Sequence, residues 1–203
     1  KDNMKKIIYF LVLFVLIQTG CSNDSYDDSM KNLQANVDPA AIMSELKSKV
    51  VYEGAWTVNQ QVVDTARMET NGETLIVRLP EEFLLAAINS FMKPQGMPTT
   101  YTLEYQGYSS EALFMDFTQT RSNAPSSTPF HNGSFNAYMD GQQYVVGLRS
   151  NMNGTLVYRI SNGQFTIGVP VNHVIIKNLE TGEQTEQDIP AITLYYNTTK
   201  RIR

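Results

Sequence analysis

Cys21 is the one thiol in 203 residues, and its position gives it a chemistry. It follows Lys5-Lys6, the apolar run from Ile7 to Ile17, and Gln18-Thr19-Gly20. A bilayer-spanning helix needs about 20 apolar residues. The shorter run here fits the core of a signal peptide, with the lysines holding its start on the cytoplasmic side. A cysteine behind small residues at the end of such a segment can be lipidated. The thiol forms a thioether with a diacylglyceryl group, the chain is cut before Cys21, and the new amine is acylated. Each buried methylene contributes about 0.8 kcal/mol, so stable anchoring takes two or more chains. A lone cysteine cannot form a disulfide within this sequence.

The other groups capable of chemistry form no recognisable constellation. His131 and His173 are the two histidines, on a loop and a strand, without metal-ligand spacing. Gly133-Ser134 lies near His131, but no Gly-x-Ser-x-Gly elbow supports a serine nucleophile. Glu81-Glu82 opens a helix and Asp27-Asp28 lies in a polar segment. A glycosidase needs two acids about 5–10 Å apart across a cleft. Asp64, Glu69, Glu104, Glu111, Asp116 and Asp140 are available, without a pattern that pairs them. No phosphate-binding glycine loop is present. The expectation is therefore no catalytic residues, no metal and no cofactor. Eleven tyrosines are the remaining resource. Tyr138 and Tyr195 fall off the apolar phase of their strands and Tyr108 lies near a loop, so these three are the candidate ligand-binding residues, as stacking surfaces for sugars.

Gln18-Thr19-Gly20-Cys21 resembles the processing site of bacterial lipoproteins, with Gln18 where leucine is usual. The alternative is a secreted protein cut near Gly20. Ser22-Asn23-Asp24-Ser25-Tyr26-Asp27-Asp28-Ser29 resembles the acidic tether of Bacteroidota surface lipoproteins. That resemblance implies anchoring to the outer membrane through lipidated Cys21, facing the cell surface, with the periplasmic face as the alternative. Residues 1–20 are then a signal peptide, 21–37 a flexible acidic tether, and 38–203 a single mainly-β domain. Lys1-Asp2-Asn3 precede the first methionine and read as an upstream extension. Without residues 1–20 the chain keeps 13 Lys+Arg and 19 Asp+Glu, a net charge of −6. The charges are interspersed and form no basic stripe, which argues against nucleic acid as a partner.

The elements that must position these groups follow from periodicity. Asp38-Pro39 opens a helix ending near Lys49, with Ile42 and Leu46 on one face and Glu45–Lys49 as an i,i+4 pair. Strand alternation begins at Val50. Asn71-Gly72 turns into Leu75, Val77 and Leu79, and Pro80 stops that strand. Glu81 to Met92 reads as a second helix with Phe83, Leu84, Ala87, Ile88 and Phe91 as its apolar face. Lys93 to Thr100 reads as a loop. Tyr101, Leu103 and Tyr105 share a face, as do Leu113, Met115 and Phe117. Ser122 to Pro129 is a long polar loop. Asp140-Gly141, Asn153-Gly154, Asn162-Gly163 and Thr181-Gly182 then punctuate short strands about every ten residues, with Phe165, Ile167 and Val169 on one strand and Val174 and Ile176 on the next. This spacing predicts an antiparallel meander or Greek key.

Tyr52-Glu53-Gly54-Ala55-Trp56 resembles the opening of the lipocalin and wider calycin family. There the tryptophan closes the bottom of an eight-stranded barrel and a late basic residue packs on it, a part open to Arg201 or Arg203. The fold expected first is an antiparallel β-sandwich with two short helices; the calycin-like barrel is the alternative. The expected function is a non-catalytic binding or interaction module. Its partner would be a glycan, a small hydrophobic ligand or an envelope protein. A structural accessory docking through an edge strand and a carboxylate-based hydrolase are the other readings.

Overall fold

Eleven strands and two short helices run through residues 38–109, 111–119 and 132–202, the parts of the chain that the computed structural model describes. Cys21, the tether, His131, the Ser122–Pro129 loop and Arg203 lie outside them. In chain order the elements are α1 (Pro39–Leu46), β1 (Val50–Val58), β2 (Gln61–Thr70), β3 (Thr74–Val77), α2 (Glu81–Ala87), β4 (Lys93–Pro94) and β5 (Thr99–Tyr108). They continue as β6 (Ala112–Gln119), β7 (Ser134–Met139), β8 (Gln142–Arg149), β9 (Thr155–Arg159), β10 (Gln164–Asn178) and β11 (Gln184–Arg201).

The turns that join neighbours need positive φ. Asp140 (φ 52°) and Gly141 (φ 80°) join β7 to β8, and Asn59 (φ 50°) and Gln60 (φ 66°) join β1 to β2. Both are two-residue turns whose twist matches the strands they connect. Gly72 (φ 79°) sits between β2 and β3, where a Cβ would lie 2.9 Å from the Leu46 carbonyl. The turn therefore abuts the end of α1, and only glycine fits both the backbone and the space.

All pairings are antiparallel. From β11 they pass through β1, β2, β3, β5, β6, β9 and β10, and β10 pairs again with β11. The second half of β10 also carries β8, then β7 and β4. The fold is thus mainly antiparallel β with two short helices, sandwich-like around one core. Strands distant in this order meet across it: the Thr99 hydroxyl of β5 donates to the Ser134 carbonyl of β7 at 3.4 Å. Trp56, Tyr52, Tyr101, Tyr196, Phe165 and Met68 are the largest fully buried side chains. Leu46 of α1 and Leu84 and Leu85 of α2 join the same cluster.

Three expectations are corrected. The second helix stops at Ala87, because Asn89 adopts a left-handed φ of 52°; Phe91, expected on its apolar face, is 93% exposed. Asn153-Gly154 does not turn a hairpin. β8 and β9 do not pair with each other but both pair with β10, β9 along Gln164–Gly168 and β8 along His173–Asn178. The residues from Phe165 to Ile176, expected as two strands, form one strand through Pro170, which falls in the gap between those two partners.

Asn132 fills that gap. It is fully buried, its Nδ2 donates to the Pro170 carbonyl at 2.6 Å and the Met152 carbonyl at 3.1 Å, and its Oδ1 accepts from the Gly154 amide at 3.1 Å. One side chain thereby satisfies three backbone groups where the ladder is interrupted.

Candidate functional site

The Gly-x-Trp segment is structural. Trp56 is fully buried, and its Nε1–H donates to the Arg78 carbonyl at 2.8 Å. The ring against it is Tyr196, at 5.2 Å. Arg201 pairs with Tyr52, further along β1. Burial, with Glu53 nearby, pushes the Tyr196 phenol above its usual range, and its O–H donates to the Ala66 carbonyl at 2.8 Å. Gly54 is required here, since a Cβ would lie 2.6 Å from the Asn197 carbonyl and meet the Tyr196 ring.

The three candidate tyrosines are all exposed and stand on different strands. Tyr108 pairs with buried Leu113 at the end of β5, Tyr138 lies on β7 opposite Gln143, and Tyr195 lies on β11 opposite Thr57 and Gly168. Tyr195 lines an open cleft of about 580 Å³ with Asn59, Gln60 and Asn197. Tyr108 and Tyr138 are not among the residues lining it. His173 lies between two carboxylates of β11: Nδ1 is 2.7 Å from Asp188 Oδ1 and Nε2 3.1 Å from Glu186 Oε2. Among the described residues, no three His, Cys, Asp or Glu side chains gather to hold a metal ion.

A cleft with a mainly apolar lining lies on the outer face of β1, β2 and β3. Alternation puts Val51, Glu69 and Ile76 side by side there, since they pair across the three strands. Gly96 and Pro98 border them. The result is a groove of about 560 Å³ lined by Val51, Ile76, Pro98 and Ile202, with Arg67 and Arg78 beside them. Glu69 is engaged by Lys49 at 2.7 Å and Arg78 by Asp64 at 3.2 Å.

Next to the groove is a smaller acidic cleft of about 250 Å³, lined in part by Asp64, Arg78, Glu81, Glu82, Pro94 and Gly96. Glu81 is only 4% exposed. Its Oε2 accepts from the Gly96 amide at 2.7 Å, while its Oε1 has no partner. Desolvation raises its pKa to about 6, opposed by the Gly96 hydrogen bond and by Arg78 and assisted by Asp64 and Glu82. By sequence Glu81 is one of two acids in the first turn of a helix, where the macrodipole favours them. The signal for its burial is spacing, because 81, 84, 85 and 88 share one helical face and Leu84, Leu85 and Ile88 are core.

A raised carboxyl pKa has a definite sign. Its stabilising share is complete below the unfolded value of 4.5 and is lost as pH rises through about 6. Glu81→Gln therefore leaves stability unchanged at pH 4 and raises it at pH 8 by at most about 2 kcal/mol. Urea unfolding at the two pH values measures this. An equal effect of the substitution at both would refute it.

No protein-family model, curated protein or solved structure matches this chain.

Proposed function

We propose that this chain is a lipid-anchored, non-catalytic binding module of the bacterial outer membrane. In this reading the outer groove takes an amphiphile with an apolar body and an anionic head. The observation that carries it is the groove itself: Val51, Ile76, Pro98 and Ile202 offer apolar surface, and Arg67 and Arg78 stand beside it. Guanidinium groups recognise carboxylates and phosphates through paired donors. The inward volume is taken by Trp56, Tyr101, Phe165 and Tyr196, so the outer face is the better place for a ligand.

Titration of the purified protein with dodecanoate tests the groove. Saturable binding is expected, weakened about tenfold or more by Ile76→Glu or Arg67→Glu, a loss of at least about 1.4 kcal/mol for each. Absence of saturable binding removes the reading. The anchor has its own test. Cys21→Ala is expected to move the protein from the membrane fraction to the soluble one, and retention of the variant would overturn lipidation at this residue. Among the described residues no helix is long and apolar enough to cross a membrane.

A second reading has one observation in its favour. Tyr195 shares its cleft with Asn59, Gln60 and Asn197, an aromatic face among amides that suits a glycan. Edge-strand docking is less supported. The N-terminal part of β11 carries Glu186, Asp188 and Pro190, which are devices that blunt an edge.

A further inference from the structure

Thr193, Tyr195 and Asn197 follow one another on the outward face of β11, alternating with buried Leu194, Tyr196 and Thr198. Tyr195 is 46% exposed, and its strand partners are Thr57 on β1 and Gly168 on β10. Gly168 lies on the outward phase of β10, between core residues Ile167 and Val169, and pairs with Thr155 on its other side. A glycine inside a strand packs no side chain and often marks a close approach. Here the approach is made by the Tyr195 ring. A Cβ built on Gly168 would lie 3.5 Å from Cε1 and 3.8 Å from Cδ1. The atom further out along the ring is the nearer one, so the ring leans over the glycine. Gly168 is buried despite its outward phase, and the phenol is braced against the sheet while staying open to solvent.

The cleft beside this ring is polar without being charged. Thr57, Asn59, Gln60, Thr193 and Asn197 line it with Tyr195, and none of the lining residues carries a charge. The groove, by contrast, holds Arg67, Glu69 and Arg78. Thr166 Oγ1–H donates to Asn197 Oδ1 at 3.0 Å, which leaves the Asn197 Nδ2 donors to the cleft. Gln60 has φ 66° in the turn after β1, a region that glycine enters without strain and glutamine does not. Glycine would serve the turn better; glutamine keeps an amide on the wall of the cleft.

We propose that Tyr195, braced on Gly168, is the stacking platform of a subsite for neutral hexose glycans. One C–H face of a pyranose ring lies on the phenol, and its hydroxyls meet the amides of Asn59, Gln60 and Asn197. A glycan bearing carboxylate or sulfate finds no cation here to receive it. The inference rests on the second reading of this cleft and adds to it the residue that carries binding and the glycans that are refused. It does not depend on the groove.

Calorimetric titration of the purified protein with cellohexaose, maltohexaose, laminarihexaose and mannohexaose tests it, with hexagalacturonate as the charged comparator. Saturable binding of at least one neutral hexamer is expected, about tenfold or more tighter than hexagalacturonate. Tyr195→Ala is expected to weaken it about tenfold or more, and Tyr195→Phe, which keeps the ring, by less than about threefold. Gly168→Val keeps every lining side chain but fills the space into which the ring leans, so it is expected to weaken binding as well. Gln60→Gly is expected to weaken binding about threefold or more while urea unfolding shows stability unchanged or raised, a split that a merely structural residue would not give. No binding of any hexamer overturns both the glycan reading and the subsite. Hexagalacturonate bound as tightly as the neutral hexamers overturns the neutral subsite alone and leaves the glycan reading in place. Binding that survives Tyr195→Ala overturns the platform.

Discussion

Trp56→Ala is expected to lower stability by about 3–5 kcal/mol, the range for emptying a large aromatic site in a packed core. The effect has three sources. The side chain is fully buried, so its whole apolar surface is lost from the core. Tyr196 loses the ring it packs against at 5.2 Å. The Arg78 carbonyl loses the indole donor at 2.8 Å, a part-buried hydrogen bond that contributes about 0.5–1.5 kcal/mol. Trp56→Phe keeps much of the volume and isolates the hydrogen bond, so its loss is expected to be the smaller. Urea unfolding followed by circular dichroism measures both, because the only tryptophan is the one replaced. A fall in midpoint without a change in slope marks a loss of stability with the unfolded state unchanged. A Trp56→Ala loss below about 1 kcal/mol would mean the site collapses around the gap.

Asn132→Asp is expected to be comparably damaging, although it changes almost nothing in size. The carboxylate still accepts from the Gly154 amide. It cannot donate to the Pro170 and Met152 carbonyls, so one buried and one part-buried acceptor face a buried negative charge. Breaking a buried polar arrangement so that a charge is left uncompensated costs about 3–5 kcal/mol. Asn132→Ala removes all three bonds without adding charge and is expected to cost about 3 kcal/mol. Asn132→Asp should recover part of its loss in acid, when the carboxyl takes a proton, and Asn132→Ala should not. Unfolding at pH 4 and pH 7 separates the two. Equal losses for both variants at both pH values would show that the hydrogen bonds, and not the charge, carry the effect.

Much of the fold was legible where it depends on local chemistry. Asn71-Gly72, Asp140-Gly141, Asn162-Gly163 and Thr181-Gly182 all mark turns because their glycines take a positive φ that other residues resist. The alternation of Leu113, Met115 and Phe117 gave the inner face of β6 directly. Gln60 at φ 66° carried no such mark, since glutamine has no preference for that region. Pairings beyond nearest neighbours were not legible either. Asn153-Gly154 looked like another hairpin, but the close approach of Gly154 to the Phe117 ring is what requires a glycine there. The candidate site was the least legible part. Tyr108, Tyr138 and Tyr195 stand out by strand phase or nearness to a loop, and they lie on separate strands. The burial of Glu81 follows from helical spacing with Leu84, Leu85 and Ile88, but the groove depends on how Gly96 and Pro98 meet Ile76 and Val51, a matter of tertiary packing that no local pattern encodes.

The pairing of β1 with both β2 and β11 sets a condition on the order of assembly. Residues 52–57 find their second partner only in residues 195–201, and Tyr196 completes the packing around Trp56. A chain made from its N-terminus therefore holds β1 half-paired and its tryptophan uncovered until residues 195–201 are available. Contacts of such long sequence separation slow folding and leave strand edges open to wrong partners meanwhile. Removing residues 195–201 is consequently a different kind of lesion from trimming a frayed end, because it leaves β1 without its closing neighbour.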